Sequence, residues 1–111
     1  MMEIQHKKMA AGHWFKMTFF EQMTNVGSEV ERTILWKEKN NSEYSKMAFE
    51  RALELLDLTI SDQRNIKRLK ELLRVRETLA DHFAFDNEYQ SSDKSWRNYF
   101  YPFNWAVRAN C

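Results

Sequence analysis

The sequence predicts an all-α protein, an antiparallel up-and-down four-helix bundle. Residues 44–85 contain no glycine and no proline, and their leucines recur at helical spacing. The whole chain of 111 residues has two glycines and one proline, too few for the turns of a β-sandwich or barrel. Apolar residues step by three and four before, within and after the 44–85 stretch. An α-helix turns about 100° per residue, so such sets share one helix face.

A chain of 111 residues is expected to form one domain spanning 1–111. With 43% hydrophobic and 30% charged residues it should be globular. Seventeen basic and sixteen acidic residues give a net charge of +1. A near-neutral chain is no general polyanion binder, so a nucleic-acid role must rest on a local patch. The single cysteine, Cys111, cannot form an internal disulfide or a cysteine-based metal site. It fits a reducing, cytoplasmic setting. The first residues, MMEIQHKKMAAGHWFK, lack the apolar segment of a signal peptide. No apolar run approaches the roughly 18 residues of a membrane span.

Taken in order, residues 1–11 read as a frayed extension of the first helix or a flexible tail. A helix is expected from about His13 to Glu38, with Phe20, Met23, Gly27, Val30 and Ile34 on one seam and Phe19 and Val26 beside it. Gly27 on that seam implies a close helix–helix contact, because glycine costs about 1 kcal/mol of helix propensity against alanine. Lys39-Asn40-Asn41 ends this helix, and Ser42 is placed to cap the next. The following stretch, Tyr44–Phe85, is read as the hairpin around which the chain is organised. Its first half aligns Phe49, Ala52, Leu53, Leu56 and Ile60. Its second half aligns Ile66, Leu69, Leu72, Leu73, Leu79, Ala80 and Phe83. A break near Thr59–Asp62 is expected because Ser61 and Asp62 are good N-cap residues. The alternative is one continuous helix of roughly 60 Å. After Phe85, a polar loop over 86–92 leads to Ser91 or Ser92 as a cap, with Asp93 in the first turn of the last helix. That helix aligns Trp96, Tyr99, Phe100, Phe103 and Val107, and Pro102 should kink or divide it.

Arg76 falls within the apolar arc of the third helix. Burial would oblige it to pair or hydrogen-bond, with Glu31 a candidate partner, or to snorkel past the leucines. The functional alternative is an arginine aimed at a phosphate. Arg76–Phe83, RETLADHF, resembles the Arg-x(4–6)-His signature of HEPN domains. Those are small helical bundles, many of them dimeric RNases with Arg and His in a shared cleft. The resemblance implies that Arg76 binds the scissile phosphate and His82 performs acid–base chemistry. Glu77 stands where the family commonly has a different polar residue.

Elsewhere the chemistry is sparse. His6 and His13 are seven residues apart, and no Glu-x-x-His motif exists, so no metal is expected. Two glycines cannot build a phosphate loop, and no nucleophile triad has a local signature. No cofactor is expected. Arg64, Lys67, Lys70 and Arg74 form a basic strip on one outer side of the third helix. Such a strip either pairs with neighbouring acids such as Glu50, Glu54 and Asp57 or neutralises phosphates. In length, helix number and pattern the whole chain is similar to the small bacterial bundle proteins of rRNA intervening sequences and to retroelement accessory proteins. That likeness implies an oligomer binding nucleic acid or protein. Those relatives are usually much more basic.

Six of the ten residues from Trp96 to Trp105 are aromatic, more than one face can bury. Tyr101 and Trp105 should point outward, as should Trp36 and, to a lesser degree, Trp14. A contiguous aromatic patch marks an interface. The sequence thus predicts a non-enzymatic helical module that self-associates, as a dimer, and binds a protein or nucleic-acid partner. The alternative is a HEPN-like RNA-binding protein or ribonuclease using Arg76 and His82.

Overall fold

The computed structural model describes residues 12–109. The stretch 1–11, His6 and Cys111 lie outside the described residues. Every regular element described is helical: α1 (Phe19–Glu38), α2 (Ser42–Ser61), a 3-10 segment (Gln63–Arg68), α3 (Leu69–Ala84) and α4 (Asp93–Ala109). None of these helices is long and apolar enough to cross a membrane.

The first helix starts later than expected. Residues 12–14 are helical, a turn follows, and α1 begins at Phe19. Thr18 Oγ1 accepts from the Glu21 amide at 3.1 Å, and Glu21 Oε1 accepts from the Thr18 amide at 2.9 Å. This capping box satisfies two orphan donors at once and fixes the start. Thr-x-x-Glu is legible at 18–21, but the apolar seam running through it hides the boundary. At the other end Asn40 adopts φ 61°, and the Asn41 amide donates back to Trp36 O at 2.9 Å. That left-handed residue closes a Schellman-type turn. Asn41, rather than Ser42, then caps α2 by accepting from the Tyr44 amide at 3.0 Å.

The chain breaks where expected, at Ser61–Asp62, but not into a second α-helix. Asp62 caps six residues of 3-10 helix before α3 begins at Leu69. The tighter winding rotates Ile66 out of the apolar arc and leaves it exposed. Ser92 caps α4, its Oγ accepting from the Ser95 amide at 3.0 Å. Pro102 does not divide that helix, which runs on to Ala109.

The central element is α1, not the hairpin. It packs most extensively against α2 and next against α4, whereas α3 lies against α2. Covered from two sides, α1 buries Gln22, Met23, Val26, Glu29, Val30, Thr33 and Ile34. Leu56 of α2, Leu72 and Leu79 of α3, and Trp96 and Phe100 of α4 complete the core. Arg97 holds α4 to α1 through two hydrogen bonds to Glu31, at 2.9 and 2.8 Å.

Gly27 marks the closest approach of α1 and α4. A Cβ there would stand 2.9 Å from Phe100 Cβ and 3.0 Å from its ring. Gly27→Ala would gain up to about 1 kcal/mol of helix propensity. It would also overpack a rigid contact at a cost of about 1–3 kcal/mol. Because the clashing atom is a Cβ rather than a flexible tip, we expect a net loss of stability, measured as a lower urea midpoint. An unchanged or higher midpoint would show that α4 can shift away freely.

Candidate interaction surfaces

Arg76 is not buried. Its side chain is 39% exposed, and it pairs with Asp57 of α2, Nε to Oδ1 at 2.6 Å and Nη2 to Oδ2 at 3.3 Å. The hydrogen bond it donates to Asp57 raises the pKa of the guanidinium further. Glu31, the partner expected for it, belongs to Arg97. The expectation of a buried arginine fails because α3 is a peripheral helix whose apolar arc is only partly covered. Exposed pairs contribute about 1 kcal/mol or less. Arg76→Ala should therefore lower stability by about that amount, and a loss of several kcal/mol on urea unfolding would refute the exposed geometry.

His82, for which the resemblance implies acid–base chemistry, is largely covered. Its Nε2 lies 2.8 Å from Asp93 Oδ1, which also accepts from Lys37 Nζ at 3.1 Å. Burial raises the Asp93 pKa, but the bonds to His82 and Lys37 outweigh it and hold the group below its ordinary value. His82 Nδ1 is buried without a hydrogen-bond partner. The start of α4 folds over this end of α3, a placement the periodicity of α3 could not reveal. His82 lines a cleft with Lys37, Ser45, Phe49 and Phe83. Arg76 lines a different cleft with Leu73, Ala80 and Phe85. The two residues do not converge.

Of the basic strip, Arg64 is half exposed but engaged by partners. Its Nη2 donates to Asp62 Oδ2 at 2.6 Å and to Met17 O at 2.7 Å. Lys67 and Lys70 are exposed and have no ion-pair partner among the described residues. Arg74 lies over the Tyr89 ring at 5.3 Å. Among the described residues, three charges of the strip, not four, are thus without a carboxylate partner.

The carboxylate that holds Arg64 anchors a buried polar cluster. Gln22 Nε2 donates to Asp62 Oδ2 at 2.9 Å and to Trp14 O at 3.0 Å. Asn65 Nδ2 donates to Gln22 Oε1 and to Thr59 O, each at 3.0 Å. Trp14 Nε1 donates to Thr59 Oγ1 at 3.1 Å. The hydrogen bond from Arg64 lowers the Asp62 pKa from 3.8 to about 2, against an opposing push from burial. These groups satisfy one another's hydrogen bonds. Asp62 was legible as a cap; its partners come from separate elements and carry no local signal.

The four aromatics expected at an interface separate into two pairs. Trp14 is 3% exposed and belongs to the core. Trp36 is half-buried, edge-on to Tyr44 at 4.9 Å and beneath Lys39 at 5.2 Å. Tyr101 and Trp105 do point outward, 67% and 63% exposed, one turn apart on α4. Tyr101 borders the groove between α1 and α4, which Leu35 and Asn104 also line. The other large exposed apolar residues include Ile66, Leu73, Phe85 and Tyr89, around α3. Ile66 and Leu73 are exposed although the helical spacing aligns them with the apolar face of the hairpin.

Among the described residues no group of three or more His, Cys, Asp or Glu side chains is placed to hold a metal. Compared with protein-family models, curated proteins and solved structures, the chain matches none.

Proposed function

We propose that this chain is a non-enzymatic helical interaction module, its four α-helices an antiparallel bundle, that self-associates and carries a protein partner. The outward pair Tyr101 and Trp105 supports partner binding most directly, because both stay largely uncovered by the described residues. Tyrosine and tryptophan combine large apolar area with a polar handle, and they dominate the energetics of protein interfaces. The adjoining α1–α4 groove offers the concavity into which a partner side chain fits. Catalysis by Arg76 and His82 is disfavoured, since each is held by a different carboxylate in a different cleft.

The partner-binding face is tested by a mass-resolved pulldown from the source cell, with and without nuclease. Wild type should retain a protein partner after nuclease treatment, and Trp105→Glu should lose it. A partner kept equally by Trp105→Glu would reject the α4 face. Capture of RNA alone, abolished by nuclease, would favour the nucleic-acid alternative.

A further inference from the structure

The expected self-association face lost Trp14 and Trp36, and two side chains on α4 are too few for a dimer. A stable interface buries about 800 Å² on each partner, some 20–30 residues. The outer side of α3 is larger and has a different character. Ile66 is 65% and Phe85 75% exposed, and Leu73 and Tyr89 are exposed too. Leu73, Ala80, Phe85 and Tyr89 line a cleft of about 560 Å³. Lys67, near the end of the 3-10 segment, precedes Lys70, the second residue of α3, by about one turn. Arg74 lies one α-helical turn beyond Lys70.

Charge along this face is polarised. Lys67 and Lys70 occupy its first half and Glu77, Asp86 and Glu88 its second, with Arg74 at the middle over the Tyr89 ring and Arg76 paired with Asp57. Lysines at one end and carboxylates at the other make the face complementary to itself when reversed. A two-fold axis performs that reversal, because each residue i meets j while j meets i. With the axis near Leu73 and Arg74, Lys70 of one copy meets the partner's Glu77, since both lie the same number of residues from the axis. Leu73 then packs on the partner's Leu73, and Ile66 approaches the partner's cleft beside Phe85. Tyr89 donates to Glu77 Oε1 at 2.6 Å, which holds this carboxylate on the face and leaves its second oxygen for the lysine.

We infer that the outer face of α3 is the interface with a second copy of this chain, in an antiparallel two-fold arrangement centred on Leu73. The inference rests on the proposed self-association and assigns its surface.

Light scattering over nanomolar to high micromolar concentrations tests it, with thermal unfolding confirming that each variant is folded. Wild type should be a dimer. Leu73→Glu should raise the dimer dissociation constant at least about tenfold, the scale of one hot-spot truncation. Lys70→Glu and Glu77→Lys should each weaken the dimer by like-charge contact, and the double variant Lys70→Glu/Glu77→Lys should restore it. Trp105→Glu should leave the dimer intact. A wild type that stays monomeric throughout overturns self-association itself. A dimer indifferent to Leu73→Glu but broken by Trp105→Glu overturns only the α3 assignment. If a 20-nucleotide oligouridylate converts the dimer to a protein–RNA complex that Lys67→Glu/Lys70→Glu abolishes, the face belongs to nucleic acid and the inference fails.

Discussion

Asp62→Ala should lower the unfolding free energy by about 2–4 kcal/mol, although the residue sits in a short connection. Two losses combine. The cap at the Arg64 amide is worth about 1 kcal/mol. The Gln22 amide is fully buried, and stranding one of its donors costs about 1–3 kcal/mol. Arg64 adds little beyond this, because its side chain is half exposed and water can rehydrate it. Arg64→Ala should therefore be distinctly milder than Asp62→Ala. Acid titration supplies a second readout. The Asp62 pKa is depressed in the folded chain, so its contribution is complete above the ordinary value of 3.8 and is lost as pH falls towards about 2. The stability gap between wild type and Asp62→Asn should narrow over that window. Urea unfolding at neutral pH and across pH 2–4 measures both. A small, pH-independent effect would mean the cluster contributes little to stability.

Trp14→Ala should be comparably severe, about 3–5 kcal/mol, the cost of truncating a buried aromatic to alanine. Trp14 is enclosed by the core and ties the residues before α1 to Thr59 at the end of α2. Losing the ring opens a cavity and leaves the Thr59 hydroxyl without the indole donor. Trp105→Ala, on an exposed face of α4, should change stability by no more than about 0.5 kcal/mol. The contrast separates the two tryptophans, which the sequence had grouped as interface residues. Trp14→Phe should fall between, restoring volume but not the hydrogen bond. If Trp14→Ala and Trp105→Ala shift the urea midpoint equally, Trp14 is not a core residue.

Periodicity and turn chemistry determined the helical content, the break at Ser61–Asp62 and the close contact at Gly27. Each is a local property: a repeat of three and four, an oxygen able to cap, a residue without a side chain on an apolar seam. Helix boundaries were partly legible too, since Thr18 and Glu21 state the start of α1 in a motif four residues long. Tertiary structure alone decided which helix lies at the centre and which faces remain open. The apolar arc of α3 looks like a core face in the sequence, yet the helix packs mainly on α2, so Leu73 and Ile66 stay exposed and Arg76 reaches Asp57 at the surface. α1 is covered on two sides, so it buries Gln22, Glu29 and Thr33, polar residues that pattern alone assigns to solvent. Glu29 is matched by Arg32 and by Arg51 of α2, the latter at 2.9 Å. The same rule governs His82, covered because α4 begins over it, and Trp14, drawn inward by a hydroxyl 45 residues away. A one-dimensional pattern records how apolar each face is. How much of that face is covered depends on the neighbour that docks there, and that is set by contacts between residues far apart in the chain.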